Sequence, residues 1–288
     1  MPEGDTVWRT ATRLHRALAG QEITLWDARF PEIATTDFRG ARTTEVVSRG
    51  KHVLHRLDNG VTMHSHLRME GQWRVEAPAE NGRWLRRADL RVAVGTQEWT
   101  ALGLRLGVLE LLPTNRESDA VSHLGPDVLG PDWDATRAIT NLRGSATTIG
   151  AALLDQRNLA GVGTLWASES LFMEKVHPWA EAGELSPDVV ERLVDRAHRL
   201  LDTARHHAVQ SSTGVRRRGE ESFVHARSGR PCRRCATIIR VAMIGQAPQE
   251  RTMFYCPSCQ GGLGPTDDGR PQRPMGSSGG RAQPYRRA

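Results

Sequence analysis

The chain has 288 residues, with 39 Lys and Arg against 33 Asp and Glu and a formal charge of +6 at neutral pH. That length suits one large domain or two modest ones, and 38% hydrophobic residues supply a core, which excludes fibrous and wholly disordered chains. The positive balance favours a polyanionic partner; no run approaches the roughly 18 apolar residues of a membrane span, and the charged start lacks a secretory signal's apolar run, so a soluble cytoplasmic protein is expected.

The N-terminus reads as a helix, because Val7, Trp8, Ala11, Leu14 and Leu18 recur on one helical face and Gly20 supplies a stop. From about residue 22 to 112 the pattern alternates as in strands. Examples are 61–67 and 90–94, with turns predicted at Asp58-Asn59-Gly60 and Asn81-Gly82. Residues 113–131, rich in Pro, Gly, Asp and Ser, suit an interdomain connection. Helical periodicity follows, in Ile149 to Leu154, Leu165 to Phe172 and Val189 to Leu201, before a loop at 216–229 and a cysteine-bearing segment. Residues 261–288 hold seven Gly, four Pro and five Arg with almost no core-forming side chain, and are expected to be a disordered basic tail.

Cys232-x2-Cys235 and Cys256-x2-Cys259 are the chain's four cysteines, separated by twenty residues. Two such knuckles place four thiolates around one tetrahedral ion, so one structural zinc is expected. A closed four-sulfur shell has no open position for catalysis; the metal should fold the segment instead. Ile238 to Val241 and Thr252 to Tyr255 read as the two strands of an intervening hairpin. A basic chain with a zinc hairpin is most simply a nucleic-acid binder. Composition and spacing do not separate a transcription-factor-like module from an enzyme.

Four segments together resemble the formamidopyrimidine-DNA glycosylase and endonuclease VIII family. They are Met1-Pro2-Glu3-Gly4-Asp5; Leu124-Gly125-Pro126-Asp127-Val128-Leu129; Leu153-Leu154-Asp155-Gln156 with Gly161-Val162-Gly163; and Tyr255-Cys256-Pro257-Ser258-Cys259-Gln260. The resemblance covers residues 1–260. It implies an α+β multidomain chain: a catalytic N-terminal β-sandwich with a flanking helix (1–115), a linker (116–131), a helix–two-turn–helix DNA-binding domain (132–225) and a C-terminal zinc-finger hairpin (226–260). The expected partner is double-stranded DNA with oxidised bases or abasic sites, bound by a monomer in the cleft between domains and used in association with the nucleoid.

The resemblance also implies site roles. Removal of Met1 exposes the secondary amine of Pro2, and an α-amino group titrating at about 7.7–8.0 is partly neutral at cellular pH. In the family this amine attacks C1′ of the damaged nucleotide, expels the base and leaves a Schiff base, from which the flanking phosphates are eliminated. Glu3 matches the general acid/base. Lys51, one of only two lysines in the chain, matches the lysine that reaches the lesion phosphate. Arg251 matches the phosphate-clamping arginine of the hairpin, and stabilisation of the leaving phosphate suits a group that never deprotonates. Met69 matches the apolar residue that fills the hole left by the flipped base, with Arg68 beside it toward the opposite strand. His64 and His66 read as packed or solvated strand residues rather than metal ligands.

Several positions depart from the purine-repair branch. Thr164 follows the Gly-x-Gly where the family often has Asn, which weakens one phosphate contact without abolishing it. Gly150 stands where that branch has a lysine, and Leu104-Arg105-Leu106-Gly107 where it has an Arg-Arg-Phe-Gly loop. Gly4, too, resembles endonuclease VIII, and the opening Met-Pro-Glu-Gly-Asp-Thr-Val is similar to the actinobacterial type. An oxidised-pyrimidine glycosylase with lyase activity is therefore expected. Met69 in its Arg-Met-Glu setting points the other way, to an oxidised-purine enzyme, and a non-catalytic zinc-containing damaged-DNA-binding protein is the reading from a different class.

Overall fold

A computed structural model describes residues 2–78, 82 and 84–274. The chain divides into two compact units, Met1–Pro131 and Asp132–Ala288.

The first unit opens with α1 (Gly4–Leu18), whose Val7, Ala11, Leu14 and Leu18 are buried, as their spacing predicts. Burial of each larger aliphatic contributes about 1.5–3 kcal/mol. Gly20, at φ +76°, turns the chain out of the helix in a conformation that disfavours a Cβ. Eight antiparallel strands follow: β1 (Leu25–Ala28), β2 (Thr43–Arg49), β3 (His52–Leu57), β4 (Val61–His66), β5 (Gln72–Glu76), β6 (Leu90–Gly95), β7 (Thr100–Leu104) and β8 (Val108–Pro113). They form two four-stranded sheets, ordered β1-β6-β7-β5 and β2-β3-β4-β8. One core joins them: Trp26, Trp73 and Val94 of the first sheet meet Val46, Val53 and Met63 of the second together with the apolar face of α1. Gly60 occupies its predicted turn at φ +79°, whereas Asn81 lies outside the described residues.

The segment expected to be a linker belongs to this first unit. It contains a short helix α2 (Ser118–Val121) and is tied to the second sheet through Glu117 and Asp127. Arg56 of β3 donates to Glu117 (Nε to Oε2, 2.8 Å), and the buried Asp127 carboxylate accepts the Gly50 N–H at 2.8 Å. The polar composition that reads as a connection is here the set of partners for polar groups on the sheet.

The second unit holds α3 (Ala135–Arg143), capped by Asp134 through the Arg137 N–H at 2.9 Å. After it come α4 (Ile149–Leu154), α5 (Thr164–Met173) and α6 (Pro187–Ala204), which starts at Ser186-Pro187. The hairpin is β9 (Arg240–Ile244) with β10 (Arg251–Tyr255). Its first strand starts two residues later than predicted, because Ile238 bridges back to Pro231 of the knuckle. Phe172 of α5 and Phe254 of β10 share a small core with Val224, Ile239, Cys232 and Cys256.

Residues 261–274 differ from the expected disordered tail: they strap across the hairpin. The Gln272 side chain donates to the Val241 carbonyl at 2.9 Å and accepts its N–H at 2.8 Å, as a third strand would. Asp267 is ion-paired to Arg240 and accepts the Tyr255 hydroxyl at 2.6 Å. Gly264 lies on the Trp179 ring, where a Cβ would come within 2.6 Å. Glycine reads as flexibility in sequence, yet here it permits close approach. The tail's remainder, 275–288, lies outside the described residues.

Candidate functional site

Pro2 and Glu3 are built into the fold of the first unit. Glu3 is the N-cap residue of α1; its carbonyl accepts the Val7 N–H at 3.0 Å and its side chain is buried, 1% exposed. Pro2 beside it is half-buried. Chain termini usually fray, but this one starts a helix whose next two residues, Gly4 and Asp5, are also buried.

Lys51 sits in the two-residue turn between β2 and β3, where Arg49 pairs with His52. Gly50 has φ +56°, the left-handed conformation such tight hairpins require at their first position. The bond from Gly50 to Asp127 ties this turn to the Leu124–Leu129 segment, a structural use of that motif which the sequence does not announce.

Arg68 and Met69 form the turn after β4. Arg68 has φ +54°, and the Gly71 N–H closes the turn on the Leu67 carbonyl at 2.9 Å. Met69 is 67% exposed, so it is not a core methionine. The Arg68 stem lies over Gly107, where a Cβ would collide with it. The β7–β8 connection is only residues 105–107, and Leu106 within it is 3% exposed. That connection presents no apolar side chain to fill a base stack.

In the second unit, Gln156 joins the two turns between α4 and α5. Its amide accepts the Gly161 N–H at 3.0 Å and donates to the Val162 carbonyl at 2.9 Å. Thr164 is the first residue of α5, 8% exposed. Gly150 explains its own departure from the purine branch: a Cβ there would lie 2.6 Å from Ile244 Cδ1 and 3.0 Å from the Pro178 carbonyl. Arg251 opens β10 and is exposed, its guanidinium 3.3 Å from the carbonyls of Gln249 and Glu250.

Cys232, Cys235, Cys256 and Cys259 place their sulfurs within 4.8 Å of one another. Three of the separations are 4.0, 3.5 and 3.4 Å. A tetrahedral shell with metal–sulfur bonds of about 2.3 Å needs sulfurs about 3.8 Å apart. The donor set therefore fits a metal ion.

Two polar arrangements escaped the sequence reading. Glu169, buried in the apolar α5, accepts the N–H groups of Phe223 (2.9 Å), Val224 (2.8 Å) and His225 (2.7 Å) and the Ser212 hydroxyl. Burial pushes its carboxyl above the ordinary value, against the pull of these four donors. The loop it organises borders a cavity of about 250 Å³, lined by Leu165, Val209, Ser222 and His225 among others. The signal was a lone acid inside Leu-Trp-Ala-Ser-Glu-Ser-Leu-Phe. The second arrangement is a row of histidines behind Lys51: His52, His64 and His66, which strand alternation and register bring to one face.

No helix among the described residues is long and apolar enough to cross a membrane. Sequence comparison matches residues 1–105 to the formamidopyrimidine-DNA glycosylase N-terminal domain and residues 124–215 to the formamidopyrimidine-DNA glycosylase H2TH domain. A probable endonuclease 8 2 of Streptomyces coelicolor is 49% identical over 271 residues, covering 94% of this chain and 98% of the relative. A DNA-(apurinic or apyrimidinic site) lyase Nei2 of Mycolicibacterium smegmatis is 41% identical, covering 90% and 99%. A formamidopyrimidine-DNA glycosylase of Rhizorhabdus wittichii is 32% identical, covering 90% and 100%. Among solved structures, Lactococcus lactis formamidopyrimidine-DNA glycosylase bound non-covalently to DNA with an abasic site superposes with a TM-score of 0.76 at 25% identity, covering 90% of this chain and 99% of that one. By both matched domains and by full-length similarity, the chain belongs to the formamidopyrimidine-DNA glycosylase and endonuclease VIII family.

Proposed function

We propose that the chain is a bifunctional DNA glycosylase and abasic-site lyase of base-excision repair, acting on oxidised bases in double-stranded DNA with pyrimidines favoured. The observation that carries this reading is the folded terminus: Glu3, 1% exposed, adjoins Pro2 at the start of a core helix. A non-catalytic DNA binder has no need of a buried acid beside its terminal amine. The 49% and 41% relatives named as endonuclease 8 and abasic-site lyase support the endonuclease VIII branch over the 32% formamidopyrimidine relative.

In this mechanism the neutral Pro2 nitrogen attacks C1′, and the base departs with the electrons of the glycosidic bond. The proton on the attacking Pro2 nitrogen passes to the departing base, and Glu3 gives its proton to the ring oxygen as the sugar opens, leaving an iminium ion at Pro2. The iminium acidifies the C2′ proton; its loss expels the 3′ phosphate, and a second elimination expels the 5′ phosphate. Lys51 and Arg251 stabilise the departing phosphates. Met69 occupies the vacated stack with Arg68 toward the opposite strand, and the Thr164 hydroxyl holds a backbone phosphate. Cys232, Cys235, Cys256 and Cys259 hold one zinc ion, which supplies folding of the hairpin that carries Arg251. The protein works as a monomer in the bacterial cytoplasm, on the nucleoid.

Borohydride reduction in the presence of abasic-site DNA is the test. A covalent complex is expected, greatly weakened in Pro2→Gly. Absence of any trapped complex from metal-loaded protein that still binds the DNA would leave a non-catalytic lesion binder.

A further inference from the structure

Behind the Lys51 turn, side chains of three strands form a continuous hydrogen-bonded chain. Glu110 Oε1 of β8 lies 2.7 Å from Nδ1 of His64, and Nε2 of His64 lies 2.7 Å from Nδ1 of His52. The two imidazoles stack, with centroids 5.0 Å apart at 19°. His66 meets the His52 ring edge-on at 4.8 Å, and the exposed His123 does so at 6.0 Å.

The partners dictate the protons. A carboxylate only accepts, so His64 carries its proton on Nδ1; its Nε2 then accepts, so His52 is protonated on Nδ1. The lone pair left over in the chain is His52 Nε2, next to the residue that reaches for phosphate. His66 is set the other way: its Nδ1 accepts the Arg68 N–H at 3.0 Å, which puts its proton on Nε2.

We propose that Glu110, His64 and His52 form a proton-accepting relay, and that docking of a DNA backbone phosphate at the Gly50–Lys51 turn brings one proton onto His52. The inference rests on the reading of Lys51 as a phosphate contact. In the free protein the surroundings oppose the charge. Burial, then repulsion by His66, His64, His123 and Arg68, holds His52 down at about 3. Burial, then Arg68, Lys51 and His64, holds His66 at about 4. Arg49 pairs with His52 in the β2–β3 register, and Asp127 on the covering segment is engaged with the Gly50 N–H. An incoming phosphodiester neutralises Lys51 and Arg68 and attracts a proton to the open nitrogen. Glu110, half-exposed at the far end, balances the charge through His64. The His52 pKa is thus raised on binding, so DNA affinity strengthens as pH falls, by at most about tenfold per pH unit for one proton.

The test is calorimetric titration of the full, metal-loaded chain at pH 6 with a duplex bearing a tetrahydrofuran abasic analogue, in buffers of different ionisation heat. The dependence of binding heat on the buffer counts protons. Expected is net uptake approaching one proton per duplex, reduced by half or more in H52Q and in E110Q, and retained in H123Q. E110Q keeps an acceptor at a half-exposed site, so it reports charge rather than folding. Tight binding with no uptake, or uptake in either H52Q or E110Q equal to the parent's, would overturn the relay and leave the enzymatic reading intact. Failure of the parent chain to bind the duplex at all would instead remove the DNA reading on which the relay stands.

Discussion

Replacing Asp267 with Ala is expected to release the C-terminal strap. The Asp267 side chain is fully enclosed, 0% exposed, and Arg240 is 10% exposed. The carboxylate accepts Arg240 Nε at 2.5 Å, the Tyr255 hydroxyl at 2.6 Å and the Gly269 N–H at 2.9 Å. Removing one partner of a buried ion pair costs about 3–5 kcal/mol when the other charge stays enclosed. The strap has an escape: it can undock, letting Arg240 reach water, so the loss is capped at the strap's whole docking energy. Truncation after Gln260 measures that ceiling. Both variants should therefore behave alike, with about 3 kcal/mol lost locally and none from the first unit. The reporter is the Val241 amide, whose acceptor is Gln272. Its hydrogen exchange should speed up roughly a hundredfold, at about 1.4 kcal/mol per decade. Acidification gives the same answer by another route. Enclosure works to raise the Asp267 pKa, but the bonds from Arg240, Tyr255 and Gly269 outweigh it and hold the carboxyl below its ordinary value. A depressed carboxyl contributes its full stability above the unfolded pKa and loses it as pH falls through the folded one. Val241 protection should persist at neutral pH and down to about pH 4, then decline. If exchange in Asp267→Ala stays within threefold of the parent while the truncated chain accelerates, the ion pair is not what holds the strap.

Other outcomes follow from the same geometry. If the four cysteines hold zinc, chelation, or Cys256→Ser, should unfold the hairpin while the first unit keeps its exchange protection, because such an ion would supply that segment's folding energy; elemental analysis should then count one zinc per chain in the parent. Glu169→Ala strands three backbone donors, of which that of Val224 is buried, each worth about 1–3 kcal/mol where water cannot replace the carboxylate. The loop at 209–226 should lose exchange protection and become open to protease, and an unchanged cleavage pattern would refute the cradle. Met69→Ala should leave stability within about 0.5 kcal/mol, since the side chain is 67% exposed. It should weaken binding to abasic duplex roughly five- to thirtyfold, the equivalent of about 1–2 kcal/mol of apolar burial, and equal affinity in gel-shift titrations would remove Met69 from the base stack.

Much was legible in the sequence because it is written in local patterns. The 3.6-residue spacing of Val7, Ala11, Leu14 and Leu18 made α1, and alternation made β4 and β6. The paired Cys-x2-Cys spacing by itself determined a four-sulfur cluster. Motifs at the terminus, in the two turns and in the knuckles identified the family. What only the tertiary structure decided depends on partners distant in the chain. Asp127 became the anchor of the Lys51 turn across 77 residues, Glu169 the cradle of a loop 54 to 56 residues away, and Glu110 the end of a histidine chain 46 residues from His64. The same cause misdirected the reading of 113–131 as a linker and of 261–274 as a tail. Pro, Gly and Asp predict irregular backbone, and apart from the short helical turns at 114–121 both segments are irregular. Whether irregular backbone is ordered depends on the polar groups it meets, and Arg56, Arg240 and the Val241 edge enter the argument only when the chain is folded.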